Sequence, residues 1–186
     1  MELKQTVLEG TIKAFNEKGL KFTMDDIAYL LGISKKTIYT VFKSKDELLL
    51  AMVDYVFTSI KEGEQRIVDN PNMTTVEKIR AILGVLPESY READFRQLYL
   101  LKDKYPHIYN EVENRLETGW ESTIALLEQG MAEGVIRDIK IPILKIMLES
   151  TLEKFFQRDT LVKHKISYSD ALEEVVDILM DGITVK

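Results

Sequence analysis

The chain contains no cysteine, which rules out disulfides, thiolate metal sites and cysteine nucleophiles. Histidine is nearly absent as well. His107 and His164 are the only two, neither lies in a His-Glu-x-x-His or Glu-x-x-His string, and both are expected on the surface or in a loop. No P-loop and no Gly-x-Gly-x-x-Gly string occurs. Glu111 and Glu113 fall on a helix rich in acids and read as part of a solvated face. No catalytic residue, metal site or cofactor is therefore expected, and an enzyme is not. No apolar run approaches the roughly 20 residues that a membrane span needs. The polar start, Met1-Glu2-Leu3-Lys4-Gln5, carries no signal-peptide pattern, so a cytoplasmic protein without membrane contact is the expectation.

Only nine glycines and four prolines interrupt the 186 residues, of which 45% are hydrophobic. That suffices for a sizeable core. Long stretches rich in Leu, Ile, Glu and Lys favour helices, strand-type alternation is missing, and the chain reads as all-α with about nine helices. The net charge is −6, but it is spread unevenly. Residues 1–50 hold eight lysines against seven acids, and the remainder 17 basic residues against 24 acids. Between Ile33 and Lys45 lie Lys35, Lys36, Lys43 and Lys45 and no acid. A local basic patch on an acidic molecule directs nucleic acid to one face.

Helical spacing of Leu3, Val7, Leu8, Ile12 and Phe15 predicts a first helix to about Lys18, with Gly19 as its left-handed cap. Thr23 opens a short helix with Ile27, Leu30 and Leu31 inward, which Gly32 ends. Ser34 caps a third, through about Val41. Ser44 and Glu47 have the spacing of a capping box for a long helix towards Ile67. Beyond the turn at Asn70-Pro71-Asn72, helices are expected from Thr74 to about Leu86, around Phe95–Leu101, from Pro106 to Glu133 as one piece, from Pro142 to Gln157, and from Tyr168 to Asp181.

Two short helices joined by the tight turn Leu31-Gly32-Ile33, with the small Ala28 at their closest approach, form a helix-turn-helix. Its second helix is the one that lies in the major groove. That helix begins Ser34-Lys35-Lys36-Thr37. Two lysines there oppose the helix dipole, no nearby acid relieves them, and phosphate would. Tyr39, Thr40, Lys43 and Lys45 follow around the capped start of the next helix, where Lys45 is the favoured phosphate ligand.

The string Gly32-Ile33-Ser34-Lys35-Lys36-Thr37-Ile38-Tyr39-Thr40-Val41-Phe42-Lys43-Ser44-Lys45-Asp46-Glu47-Leu48 resembles the DNA-binding signature of the tetracycline-repressor (TetR) family, with Phe15, Gly19, Thr23, Ile27 and Ala28 also in place. It departs from the family at Lys36, usually a small residue, and at Val41, often histidine. Lys36 adds a donor suited to guanine O6/N7. The resemblance implies a DNA-binding head over 1–47 and a ligand-binding and dimerisation body over 48–186. The DNA-contact set is Thr23, Ser34, Lys35, Lys36, Thr37, Tyr39, Thr40, Lys43 and Lys45.

The resemblance also implies a homodimer formed by the last two helices, for which Ile143, Met147, Leu152, Phe156, Leu172, Val176, Leu179 and Ile183 are candidates. It implies a pocket for a small-molecule effector within the body, for which Phe95, Tyr99, Tyr109, Trp120, Met147 and Phe155 are aromatic or soft candidates. Trp120 and Tyr99 stand out because each carries a polar handle. The expected function is a transcriptional regulator, most simply a repressor, whose affinity for a double-stranded operator is set by that effector. A helical small-molecule carrier without DNA binding is the alternative, and it leaves the lysine cluster unexplained.

Overall fold

The computed structural model describes residues 2–86, 96–157 and 159–185. Helix α1 (Glu2–Lys18) buries Val7, Leu8, Ile12, Ala14 and Phe15 and gives way at Gly19, whose φ of +55° suits a residue without Cβ. Helix α2 spans Met24–Leu31 and ends at Gly32, φ +65°. It is followed by α3 (Lys35–Tyr39) and α4 (Lys45–Val68). Ile27, Ile38, Phe42, Leu48 and Leu49 are fully buried, whereas Leu30, expected inward, is 40% exposed. Helix α1 packs on α2, and α2 on α3. Helix α1 approaches α2 closely at Gly10, where a Cβ would lie 2.9 Å from carbons of Leu31.

The later helices are α5 (Thr75–Leu83), α6 (Arg96–Tyr99), α7 (Leu101–Lys104), α8 (Pro106–Glu117), α9 (Glu121–Ala132), α10 (Ile141–Gln157), α11 (Thr160–His164) and α12 (Tyr168–Ile183). Among the described residues there is no strand, only an isolated bridge between Ile136 and Thr184. No helix among them is long and apolar enough to cross a membrane. The described residues within Met1–Thr58 and Asp94–Glu113 form one compact unit, which contains the whole head segment. Those within Ser59–Ala93 and Asn114–Lys186 form another. In the second unit Ile79, Leu127, Leu148, Leu172, Val176 and Met180 share one core.

The chain is all-α, and the described residues hold twelve α-helices, three more than the nine or so expected. The stretch around Phe95–Leu101 divides into α6 and α7, α11 is additional, and the single helix expected from Pro106 to Glu133 is broken at Thr118-Gly119-Trp120. Gly119 there has φ +78°, a conformation that favours glycine. The carbonyls freed at the end of α8 are taken up by the chain. Lys145 donates to Glu117 O at 2.9 Å and Trp120 Nε1 to Leu116 O at 3.1 Å, while Lys61 donates to Gly119 O. The apolar stripe runs on past the break, so periodicity alone concealed it.

The face expected to dimerise also needs correction. Phe156, Leu172, Val176 and Ile183 are buried within the chain itself, and Phe156 stacks on Tyr168 with ring centres 5.8 Å apart. Leu152 and Leu179 are half-buried. Ile143, Ile146, Met147 and Ile178 are each more than half exposed. Helices α10 and α12 thus carry two apolar faces, one for the chain's own core and one left outward. Only packing distinguishes them.

Candidate nucleic-acid interface

Helix α2 is fixed at its start by a full capping box. Thr23 Oγ1 accepts from Asp26 N at 3.2 Å, while Thr23 N and Oγ1 both donate to Asp26 Oδ2 at 2.8 Å. Lys18 donates to the other carboxylate oxygen at 2.6 Å. With Lys18 as the largest influence and Thr23 next, the Asp26 carboxyl is held at about 2, below its ordinary 3.8. Helix α3 is fixed similarly. Ser34 Oγ accepts from Thr37 N at 3.0 Å and shares a hydrogen with Thr37 Oγ1 at 2.8 Å, and Thr40 Oγ1 donates to Thr37 O at 2.6 Å. The hydroxyls of Thr23, Ser34, Thr37 and Thr40 therefore shape the motif first. Each retains acceptor capacity for a further partner.

The lysines divide into two kinds. Lys36 and Lys43 are exposed and have no ion-pair partner among the described residues. Lys35 is paired instead with Asp25 at 2.8 Å, a hydrogen bond that raises it above the ordinary lysine range. The expectation that no acid relieves the lysine pair fails here, because the fold returns a carboxylate from ten residues earlier.

Lys45 is turned inward. Its ammonium donates to Leu20 O at 2.7 Å and to Phe22 O, and lies 4.0 Å from the centre of the Phe22 ring. Burial, with Lys104 nearby, lowers it below the ordinary lysine range. These contacts occupy the side chain expected to hold phosphate. Its helix begins as a modified capping box: Ser44 Oγ accepts from Glu47 N at 3.1 Å, but the Glu47 carboxylate accepts from Lys43 N at 2.7 Å, one residue earlier than the usual pattern.

Tyr39 is 44% exposed beside these residues, and Tyr29, which the sequence reading passed over, is 92% exposed on α2. Its signal was available: Asp25 and Tyr29 stand four apart on the polar side of a helix whose inward side is Ile27 and Ala28. The outward surface of α2, α3 and the following turn thus presents Asp25, Tyr29, Lys35, Lys36, Tyr39, Thr40 and Lys43.

The effector candidates are divided between the two units. Phe95 lies outside the described residues. In the first unit the buried Tyr109 meets Tyr99 edge-on at 5.9 Å, with Lys102 within 6 Å of both rings. In the second unit Trp120 has its indole N–H satisfied by Leu116 O, so its polar handle is already used. Phe155 packs edge-on against Tyr168 at 6.0 Å, and Met147 lines an outward groove of about 380 Å³ with Ile143, Leu144, Ile178 and Leu179. A separate cleft of about 360 Å³ between α5 and α12 has Leu86, Leu172 and Val176 on its walls and Arg80 and Asp177 at its rim.

Residues 7–52, which contain this motif, match the profile described as bacterial regulatory proteins, tetR family. The chain is 30% identical to the HTH-type transcriptional regulator YhgD of Bacillus subtilis (strain 168) over 151 residues, covering 74% of this chain and 73% of YhgD. It is 28% identical to YvaF, an HTH-type transcriptional regulator of the same organism, over 98% of this chain and 96% of YvaF. Its fold is shared with a TetR transcription regulator from Haloarcula marismortui ATCC 43049, with a TM-score of 0.73, 17% identity and 99% of each chain covered. These relatives are regulators rather than enzymes. With a capped helix-turn-helix and an exposed basic surface in place, the chain belongs to the tetR family of bacterial regulatory proteins.

Proposed function

We propose that the protein is a cytoplasmic homodimeric repressor that reads an inverted-repeat operator and is released from it by a small molecule bound in its second unit. The observation that carries the DNA reading is the exposed group Lys36, Tyr39 and Lys43 on and after a helix anchored by Ser34. These residues supply base-edge and phosphate donors where a recognition helix uses them. Lys36 favours guanine, and Lys43 takes the phosphate role first expected of Lys45. Thr23, Ser34, Thr37 and Thr40 hold the motif in shape and offer acceptors at its edge.

Dimerisation is supported by the outward strip of Ile143, Ile146, Met147 and Ile178. Apolar exposure of this kind on a long helix pair marks an association surface. Two copies related by a two-fold axis would also supply the two half-sites that one short recognition helix needs. For the effector, the cleft between α5 and α12 offers an apolar wall and a charged rim. The effector acts through its differential affinity for the DNA-competent and incompetent states.

A salt-titrated selection of random duplex DNA on the purified protein, with the mass of the bound species recorded, tests this reading. Recovery of an inverted repeat bound by a dimer, weakening steeply with salt, is the expected result. No enrichment at low salt, with or without cell extract as a source of effector, overturns it.

A further inference from the structure

We propose that Asp25, on α2 rather than on the recognition helix, is a specificity-determining residue: with Lys35 it forms one donor–acceptor unit that reads a G·C base pair in the major groove. The inference rests on the DNA reading above. Lys35 opens α3, and the N-terminal residues of a recognition helix are those that meet base edges. Asp25 Oδ2 lies 2.8 Å from Lys35 Nζ, so its carboxylate stands at that same end.

The neighbouring acid shows what an acid with a purely structural role looks like here. Asp26 accepts three hydrogen bonds from Thr23 and Lys18. Asp25 accepts one, from Lys35, and its side chain remains 71% exposed. A carboxylate facing a phosphate lattice is repelled, so on a DNA-reading surface it is useful only where it meets a donor. The donors in the major groove are the amino groups of cytosine and adenine.

The match then follows from counting. The Lys35 ammonium has three donors, one of which is held by Asp25. The remaining two suit guanine O6 and N7, which are adjacent acceptors. The free oxygen of Asp25 suits the cytosine N4 amino group of the same pair. An A·T pair separates its two acceptors, adenine N7 and thymine O4, by the adenine amino group, so a single ammonium does not span them. The tether also restrains the four-carbon lysine chain and keeps Lys35 from serving as a general phosphate contact.

The experiment compares the unmodified protein with Asp25→Ala, Asp25→Asn and Lys35→Ala. Each is checked for fold by its melting curve, then put through the same duplex selection and through titration on selected and random duplexes. The unmodified protein is expected to require G·C at one position of each half-site, with a penalty of about tenfold or more for A·T there. In Asp25→Ala and Lys35→Ala that penalty falls below about threefold. Asp25→Ala also binds random duplex more tightly than the unmodified protein, with a salt slope steeper by about 0.9 for each subunit, because the freed Lys35 reaches phosphate. A double variant carrying both Asp25→Ala and Lys35→Ala discriminates no worse than Lys35→Ala alone.

If Asp25→Ala selects the same half-site with the same penalty, the inference is overturned while the DNA reading stands. A folded Asp25→Ala that loses affinity equally on all duplexes overturns it too, by reducing Asp25 to a support. Failure of the unmodified protein to enrich any sequence overturns the DNA reading itself, and the inference with it.

Discussion

The ammonium of Lys45 stands 4.0 Å from the centre of the Phe22 ring and donates to the Leu20 carbonyl at 2.7 Å. The first turn of α4 is thereby tied to the segment that joins α1 to α2. A cation over an aromatic face and charged hydrogen bonds to carbonyls are each stabilising when partly desolvated. Lys43, two residues earlier, makes no such side-chain contact. The two lysines of one short string therefore have different work.

Lys45→Ala is expected to lower stability by about 2 kcal/mol, read as a shift in the urea midpoint. Lys43→Ala should leave the midpoint within about 0.5 kcal/mol and instead flatten the salt dependence of operator binding by about 0.9 per subunit. The reverse pattern would return the phosphate contact to Lys45.

Acid should reveal the α2 cap. Asp26 has its carboxyl at about 2 in the folded protein against an ordinary 3.8, so the folded state binds its proton less readily than the unfolded chain does. Stability from this group is fully present above about pH 4 and is lost as pH falls towards 2. Asp26→Asn should flatten that acid limb in urea titrations at stepped pH. An unchanged limb would show that the carboxylate's partners contribute nothing in solution.

The break between α8 and α9 gives a third expectation. The Glu64 carboxylate is nine-tenths buried and takes both of its oxygens' bonds from Lys61, at 2.9 and 2.7 Å, while Lys61 also donates to Gly119 O. Lys61→Met strands a buried acid and should cost about 2 kcal/mol, less than a fully buried pair because Lys61 is half exposed. Adding Glu64→Gln should recover part of the loss. Additive effects in this double-mutant cycle would mean that the pair is not coupled.

Substitutions on the two faces of α10 and α12 should separate assembly from folding. Ile178→Asp, on the outward face, is expected to convert the proposed dimer to monomer in sedimentation while leaving each subunit folded. Phe156→Ala, behind the same helices, should instead cost about 3–5 kcal/mol of stability. A dimer that survives Ile178→Asp would place the interface elsewhere.

Much of the head could be read directly from residue order. Thr23, Ser34 and Ser44 cap helices as their spacing implied, Gly19 and Gly32 end them, and Ile27 and Ile38 face inward. Capping and helical periodicity are local, acting over three or four residues, and so are written into the string. The inward turn of Lys45 was not legible, because its acceptors, Leu20 and Phe22, lie more than twenty residues away. Nor was the exposure of Tyr29, although its place opposite Ile27 hinted at it.

In the body the balance is different. Residue order determined that the chain is helical, where most helices begin, and that α10 and α12 carry more apolar surface than one face needs. It could not assign that surface between core and partner, since Phe156 and Ile178 are equally apolar and only neighbouring helices decide which is covered. It did not reveal that α8 stops at Glu117, because the stripe from Tyr109 to Met131 keeps its period across a break held by lysines from other helices. It also could not pair Lys35 with Asp25. What acts within a turn of helix was settled by the sequence; what depends on side chains from separate elements meeting was decided only when the chain packed.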